Sequence, residues 1–167
     1  MKIVLKFGGT SLASPKDIRN VAKTITSFSK GNQIVVVCSA VDGVTDDLIT
    51  ISRLIEQRRK NNIVANLNGV IIKHRKLANQ TIKNSVIKKQ LLEKLNTDVS
   101  ELQELVRGLT LLKEVSARSL DYLISFGERL SDDLVSYALQ DLKKKSTALN
   151  GKEVGIVTDS NFGESRP

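Results

Sequence analysis

The sequence has little of what marks secreted or membrane-spanning proteins. It contains one cysteine, Cys38, so no disulfide can form within the chain. Its longest apolar stretch, residues 34–38, is far shorter than the ~20 residues that cross a bilayer. The amino terminus lacks the apolar length and the cleavage site of a signal peptide. These absences predict a cytoplasmic protein that does not enter the membrane.

Aromatic residues are also scarce, and this bears on the positive charge of the chain. The net charge is +8, and it is concentrated in residues 53–95, which contain eleven Lys and Arg but only two Glu. That segment has no interleaved aromatic residues, no Gly-rich RNA-binding signature and no zinc-ligand spacing, which nucleic-acid modules usually show. The pattern favours solvated helix faces over a nucleic-acid partner.

The composition is otherwise that of a globular protein. Hydrophobic residues make up 40% and charged residues 26% of the 167 positions, which is enough to bury one core. We therefore expect residues 1–167 to fold as one lobe or as part of one. Cys38 is expected to be a small buried residue at a strand end.

The first forty residues have the pattern of strand, glycine turn, helix and strand. Residues 2–7 are rich in apolar residues and end at Gly8 and Gly9, and Ser14 followed by Pro15 predicts a helix start. Residues 34–38 form a continuous β-branched run, which predicts a strand covered on both faces in a parallel sheet.

The rest of the chain reads as helices followed by two short strands. Helical spacing of apolar residues begins at Val44, is irregular over residues 66–95, and is clearer over residues 102–112. A further stretch of such spacing runs over residues 115–142, with an interruption at Gly127. Strands are predicted at residues 146–149 and 154–158, with a turn at residues 150–151. Strands joined by helices predict an α/β class with a largely parallel sheet.

Sites in such sheets lie at the carboxyl ends of the strands. This places residues 8–11, residues 39–45 and the residues after Thr158 at one edge. Glycines after a strand let backbone amides approach a phosphate, and a preceding lysine can neutralise charge on it. The order of residues fits neither a Walker A loop nor a dinucleotide fingerprint, and a tight strand exit is the structural alternative. His74, the one histidine, is expected to face solvent.

Four stretches together resemble the aspartate kinases of the amino-acid kinase superfamily. Residues 6–11 read KFGGTS, the opening signature of that family, and residues 39–46 are similar to its second glycine loop, SAMxGVTD, with Val41 at the usual Met position. Residues 125–131 resemble the GERLS helix start. Residues 148–151, 155–159 and 162–163 resemble the strand pair and loop that follow in the family.

The resemblance implies a three-layer αβα sandwich, the amino-acid kinase fold, with this chain as its N-terminal lobe. It also implies transfer of the γ-phosphoryl group of ATP, with Mg²⁺, to the β-carboxylate of L-aspartate, and a homo-oligomeric full-length protein. The implied residues are Lys6 for the transferred group, Gly8, Gly9 and Thr10 for the phosphates, Ser39 and Thr45 for aspartate, and Glu128 for its ammonium group. No residue is implied as a metal ligand, and Arg129 is expected to pair with an acidic neighbour.

Aspartate kinases continue into a second lobe with a GRGGSD segment and into ACT domains, none of which occurs in residues 1–167. We therefore expect no turnover from this stretch alone, and we expect unpaired sheet edges and exposed apolar surface. One alternative is another enzyme of the superfamily, such as a glutamate, acetylglutamate or uridylate kinase, although residues 10–11, 43–46 and 127–129 fit the aspartate branch better. The other is a non-catalytic module that binds an anionic partner through residues 53–95.

Overall fold

The computed structural model describes residues 1–164 and 166 as an α/β arrangement of two strands and five helices. The strands are β1 (Lys2–Phe7) and β2 (Gln33–Cys38). A single 3₁₀ turn, Gly9–Leu12, follows β1. The helices are α1 (Pro15–Phe28), α2 (Val44–Glu56), α3 (Lys60–Thr81), α4 (Ser85–Leu112) and α5 (Ala117–Asp141). None of the described helices has the length and apolar character that a bilayer crossing requires.

The two strands pair in parallel, as predicted, with α1 as the crossover between them. The register runs from Lys2 opposite Gln33 to Phe7 opposite Cys38. Parallel neighbours end at the same edge, so the residues that follow β1 and β2 must lie side by side. This one pairing therefore brings the two glycine-containing segments together.

Only one face of the two-stranded sheet is covered by helices in the described residues. Ile34 and Val36 pack against the core, whereas Val35 is 54% and Val37 47% exposed. The prediction that residues 34–38 are covered on both faces is thus wrong for this chain, because α1 and α5 contact β2 from one side. The expectation of exposed apolar surface is confirmed.

Most of the predicted helix signals are confirmed. Ser14 caps α1 by accepting a hydrogen bond from the Asp17 amide at 3.2 Å, and Pro15 occupies the first helical position. The apolar residues at helical spacing in α2 are all buried, namely Val44, Leu48, Ile51 and Ile55. The irregular stretch of residues 66–95 forms parts of α3 and α4, joined by a short connection.

His74 is not on the surface, and the prediction that it faces solvent is wrong. It lies on α3 with 1% of its surface exposed, and its Nδ1 is 2.8 Å from the Val70 carbonyl oxygen. Val70, Ile71, Leu77 and Ala78 are buried on the same helix. The neighbouring Lys73, Arg75 and Lys76 suggested a charged surface. The helical spacing instead places His74 on the apolar face of α3.

The two predicted C-terminal strands are also not formed. Residues 146–149 have no regular structure, and residues 151–155 are a turn. Asn150, just before the turn, and Glu153 within it exchange side-chain to backbone hydrogen bonds at 2.8 and 3.1 Å. Val157 is 80% exposed. A β-branched run becomes a strand only when it finds a neighbouring strand to pair with, and the described sheet consists of β1 and β2 alone.

Candidate functional site

The segment after β1 and the segment after β2 touch through backbone atoms. We call residues 8–11 the first glycine turn and residues 39–45 the second glycine loop. The Ser39 amide donates to the Phe7 carbonyl at 3.0 Å, extending the strand pairing into the loop. A Cβ on Gly9 would lie 2.9 Å from the Ala40 carbonyl oxygen and 3.4 Å from the Asp42 nitrogen. Only glycine allows this approach, which explains the residue type that the sequence singled out.

The second glycine loop makes a tight turn before α2. The Val44 amide donates to the Val41 carbonyl at 2.9 Å, and Gly43 between them has φ +76° and ψ −8°. Residues other than glycine rarely adopt that left-handed backbone conformation. Ala40 and Val41 are buried and anchor the loop. The turn places Thr45 in the first turn of α2, beside Asp46 and Asp47.

Helix α5 contributes the third wall of the site, with Gly127 near its middle. The predicted interruption of the helix at Gly127, and a helix start there, are both wrong, because α5 runs from Ala117 to Asp141. A Cβ on Gly127 would lie 2.8 Å from the Cβ of Ala40 and 3.6 Å from Val44 Cγ1. Gly127 therefore lets α5 pack directly onto the second glycine loop.

Glu128 and Ser131 connect α5 to the same loop by hydrogen bonds. The Glu128 Oε1 accepts from the Ala40 amide at 3.1 Å. The buried Ser131 hydroxyl lies 2.7 Å from the Ser39 carbonyl oxygen, to which it donates, and 2.9 Å from the Glu128 carbonyl oxygen. No role was predicted for Ser131. Its position, one helical turn after Gly127, is the signal that would have predicted this contact.

The predicted site residues fall into two groups. Gly9 and Glu128 both contact Ala40, and Ser39 is joined to α5 through its backbone carbonyl oxygen. Lys6, Thr10 and Thr45 make no described side-chain contact with them within residues 1–164 and 166, and the backbone alone places them nearby. Lys6 is exposed on β1 and lies opposite Val37 of β2. Gly8 begins the first glycine turn, and Thr10 is exposed in that turn.

The residues after Thr158 contact α5 near its start. The Gly163 amide donates to Asp121 Oδ2 at 2.8 Å, and the Arg118 guanidinium carbon lies 5.5 Å from the centre of the Phe162 ring. These contacts lie about two helical turns before Glu128. The prediction that this segment lies at the carboxyl edge of the strands is not supported by a described contact with either glycine segment.

A partly buried ionic network, centred on the buried Asp98, joins α5 to α4 behind Glu128. Arg129 Nη2 lies 2.7 Å from Asp98 Oδ1 and 2.6 Å from Glu101 Oε2, which confirms the expected acidic partner. Lys94 also contacts Asp98, at 2.6 Å. Burial acts to raise the pKa of Asp98, but the hydrogen bonds from Lys94, Asp133 and Arg129 outweigh it and lower the pKa. Burial, together with the nearby Asp98, raises the pKa of Asp133 to about 7.

Cys38, at the end of β2, is buried as predicted. Its pKa is raised to about 12 by burial and by the nearby Asp132 carboxyl group, so its thiol is not a nucleophile at neutral pH. Burial also raises the pKa of Asp132 to about 6. Both residues line a cavity of about 500 Å³ between β2, α1, α5 and residues 144–149. Neither glycine segment lines that cavity.

Comparison with known proteins gives matches over nearly the whole chain. Residues 1–166 match the sequence model of the Amino acid kinase family. The chloroplastic aspartokinase 1 of Arabidopsis thaliana is 31% identical over 163 residues, which is 95% of this chain and 27% of that protein. The aspartokinase of Corynebacterium glutamicum is 27% identical over 165 residues, which is 98% of this chain and 26% of that protein. The chain thus spans about a quarter of these relatives.

Solved structures show the same fold. The crystal structure of Escherichia coli aspartokinase III in complex with aspartate and ADP superposes with a TM-score of 0.85, covering 100% of this chain and 35% of that one, at 22% identity. The complex of the same enzyme with lysine and aspartate gives a TM-score of 0.84 over 98% of this chain. The predicted amino-acid kinase fold is confirmed.

Proposed function

Since the chain belongs to the amino acid kinase family, we propose that it forms the aspartate-binding and phosphate-binding side of an aspartate kinase site. In this proposal, residues 1–167 are the N-terminal lobe of a longer catalytic domain. The enzyme transfers the γ-phosphoryl group of ATP to the β-carboxylate of L-aspartate, giving 4-phospho-L-aspartate. That product is the first intermediate in lysine, threonine and methionine biosynthesis.

One observation carries the proposal: three segments that were singled out separately meet at one place. Gly9 and Gly127 each lie directly against Ala40, and a Cβ on either glycine would lie less than 3.0 Å from an Ala40 atom. A fold that only required a tight strand exit would not need α5 to pack against the second glycine loop as well. The convergence supports a shared binding surface.

Aspartate would lie between the second glycine loop and α5. Ser39 and Thr45 offer hydroxyl groups at the two ends of the loop, and Glu128 offers a carboxylate to the substrate's ammonium group. The contact of Glu128 Oε1 with the Ala40 amide orients that carboxylate. The aspartate β-carboxylate is already ionised at neutral pH, so transfer requires alignment and charge stabilisation rather than a general base.

The phosphates would lie against the first glycine turn. The amides of Gly9 and Thr10 open a 3₁₀ turn, and amides at such a start have no partner within the helix. Gly8 and Gly9 leave the backbone accessible, and Lys6 supplies positive charge to the transferred group. The described residues contain no cluster of three or more His, Cys, Asp or Glu able to hold a metal. In this proposal Mg²⁺ is held by the ATP phosphates, where it neutralises charge, and no residue of this chain is assigned to it.

Several further properties belong to the same proposal. The full-length enzyme would be a cytoplasmic homo-oligomer with L-aspartate and ATP as its partners, and nucleic acid would not be one of them. Residues 1–167 would have no turnover alone, which is supported by the coverage of only 27% of the Arabidopsis thaliana relative. A glutamate, acetylglutamate or uridylate kinase is disfavoured by the residue types at positions 43–46 and 127–129.

The test is acceptor-dependent phosphorylation by the full-length protein that carries this chain. Trapping the acyl phosphate with hydroxylamine should give a product with L-aspartate and none with L-glutamate. Lys6→Ala should lower kcat about 10²- to 10³-fold, whereas Lys2→Ala, on the same exposed face of β1, should not. Wild-type protein that phosphorylates glutamate in preference to aspartate, or equal rates for the two variants, would exclude the proposal.

A further inference from the structure

Lys73, in the middle of α3, reaches the exposed tip of the second glycine loop. Its Nζ donates to the Asp42 carbonyl oxygen at 3.1 Å and lies 3.6 Å from Asp47 Oδ2 in the first turn of α2. It would also lie 3.7 Å from a Cβ placed on Gly43. Apart from Lys73, no side chain from outside the loop and α2 makes a described contact with Asp42 or Gly43. The ammonium group therefore bridges the loop and the helix that follows it.

The Asp42 carbonyl belongs to the central peptide group of this turn, whose orientation distinguishes turn types I and II. Val41 to Val44 is a four-residue turn closed by the 2.9 Å hydrogen bond. Gly43 has φ +76° and ψ −8°, and Asp42 is not among the non-glycine residues with positive φ. These angles are those of a type II turn with Asp42 and Gly43 at its centre. A type I turn differs mainly by a half rotation of the central peptide, which reverses the directions of the Asp42 C=O and the Gly43 N–H.

We propose that Lys73 is a positioning residue that holds this central peptide in the type II orientation. The C=O and N–H of a trans peptide point in opposite directions, so binding the Asp42 oxygen turns the Gly43 N–H away from α3. The contact with Asp47 also joins Lys73 to the first turn of α2, and Thr45 lies between Asp42 and Asp47 in the sequence. This inference rests on the proposed function for its catalytic consequence, but the turn geometry can be measured without it.

The choice of residues is consistent with this role. Gly43 gives the left-handed conformation that a type II turn requires. Lys73 is about 39% exposed, so its contact is screened and its effect should be moderate. It is also one of the eleven basic residues of positions 53–95, a segment to which the proposed function assigns no role.

The direct test is the conformation of the turn in solution. In the wild-type protein, a strong nuclear Overhauser effect from the Asp42 Hα to the Gly43 amide is expected, as in a type II turn. Lys73→Met should weaken it and raise the amide–amide effect between the two residues, whereas Lys73→Arg should preserve it. Lys76→Met, which removes an exposed charge from the same helix, should change nothing. An unchanged pattern in Lys73→Met would overturn the inference.

Kinetics of the full-length protein test the consequence. Lys73→Met should raise the KM for aspartate about threefold to tenfold and change kcat by less than about twofold, with Lys73→Arg near wild type. Gly43→Ala disfavours the same conformation, so the two changes together should raise KM by less than the product of the single effects. A fall in kcat with unchanged KM would refute the assigned role. If the wild-type protein does not phosphorylate aspartate, the proposed function is wrong, and the turn measurement still decides the inference.

Discussion

Replacing Gly127 by alanine tests the close packing of α5 on the second glycine loop. The new Cβ would lie 2.8 Å from the Cβ of Ala40, which is itself buried. Overpacking of this kind costs roughly 1–3 kcal/mol. In the interior of a helix, alanine is favoured over glycine by about 1 kcal/mol. The net effect should therefore be a loss of up to about 2 kcal/mol of the free energy of unfolding.

Gly108 in α4 provides a matched control, because a Cβ there meets nothing within 4 Å. Gly108→Ala should raise the free energy of unfolding by up to about 1 kcal/mol. Urea titration of both variants, with the m-value checked for constancy, gives the comparison. In an Ala40→Gly background the clash is absent, and Gly127→Ala should then behave like Gly108→Ala. Equal stabilisation by both changes in the wild-type background would refute the packing described above.

Two further predictions concern buried ionisable groups. Arg129→Met leaves the carboxylate of Asp98 buried with one cation fewer, and it should lower the free energy of unfolding by about 2–4 kcal/mol. Lys89→Met, which removes the exposed ion pair with Glu93, should change the free energy of unfolding by less than about 1 kcal/mol in urea titrations. Equal losses in Arg129→Met and Lys89→Met would contradict the network around Asp98. Burial lowers the pKa of His74 below 6.5. As the pH falls, His74 is therefore protonated in the unfolded chain before it is protonated in the folded one. The stability contributed by neutral His74 is thus present above pH 6.5 and is lost below it. His74→Leu should abolish this loss, whereas parallel stability curves for the two proteins from pH 7.5 to pH 5 would contradict it.

The local signals in the sequence predicted the elements that depend on their own residues. Ser14 and Pro15 were sufficient to predict the start of α1, and the β-branched run at residues 34–38 was sufficient to predict β2. The two glycine segments could be placed at one edge because parallel strands end together. Residues 146–149 were predicted wrongly because strand formation depends on a partner, and local composition does not reveal one.

The errors on helices have a different cause. Glycine in a helical pattern indicates either a break or a close contact, and the sequence does not distinguish between them. Gly127 is a close contact, which is visible only once Ala40 lies opposite it. His74 was judged from its charged neighbours, although its helical phase matches Val70 and Ile71. Contacts across elements, such as that of Lys73 with the Asp42 carbonyl, depend on how helices pack and have no signal in the sequence.

The central claim is that Glu128 binds the ammonium group of aspartate, and comparing aspartate with succinate tests it most directly. Succinate has the same two carboxylates and lacks the ammonium group. Glu128→Gln is the appropriate variant, because its amide oxygen can still accept from the Ala40 amide. Calorimetry on the full-length protein should show wild type preferring aspartate by about 10- to 100-fold, and the variant should lose most of that preference. An undiminished preference in Glu128→Gln would contradict the assignment of Glu128 and the site built around it.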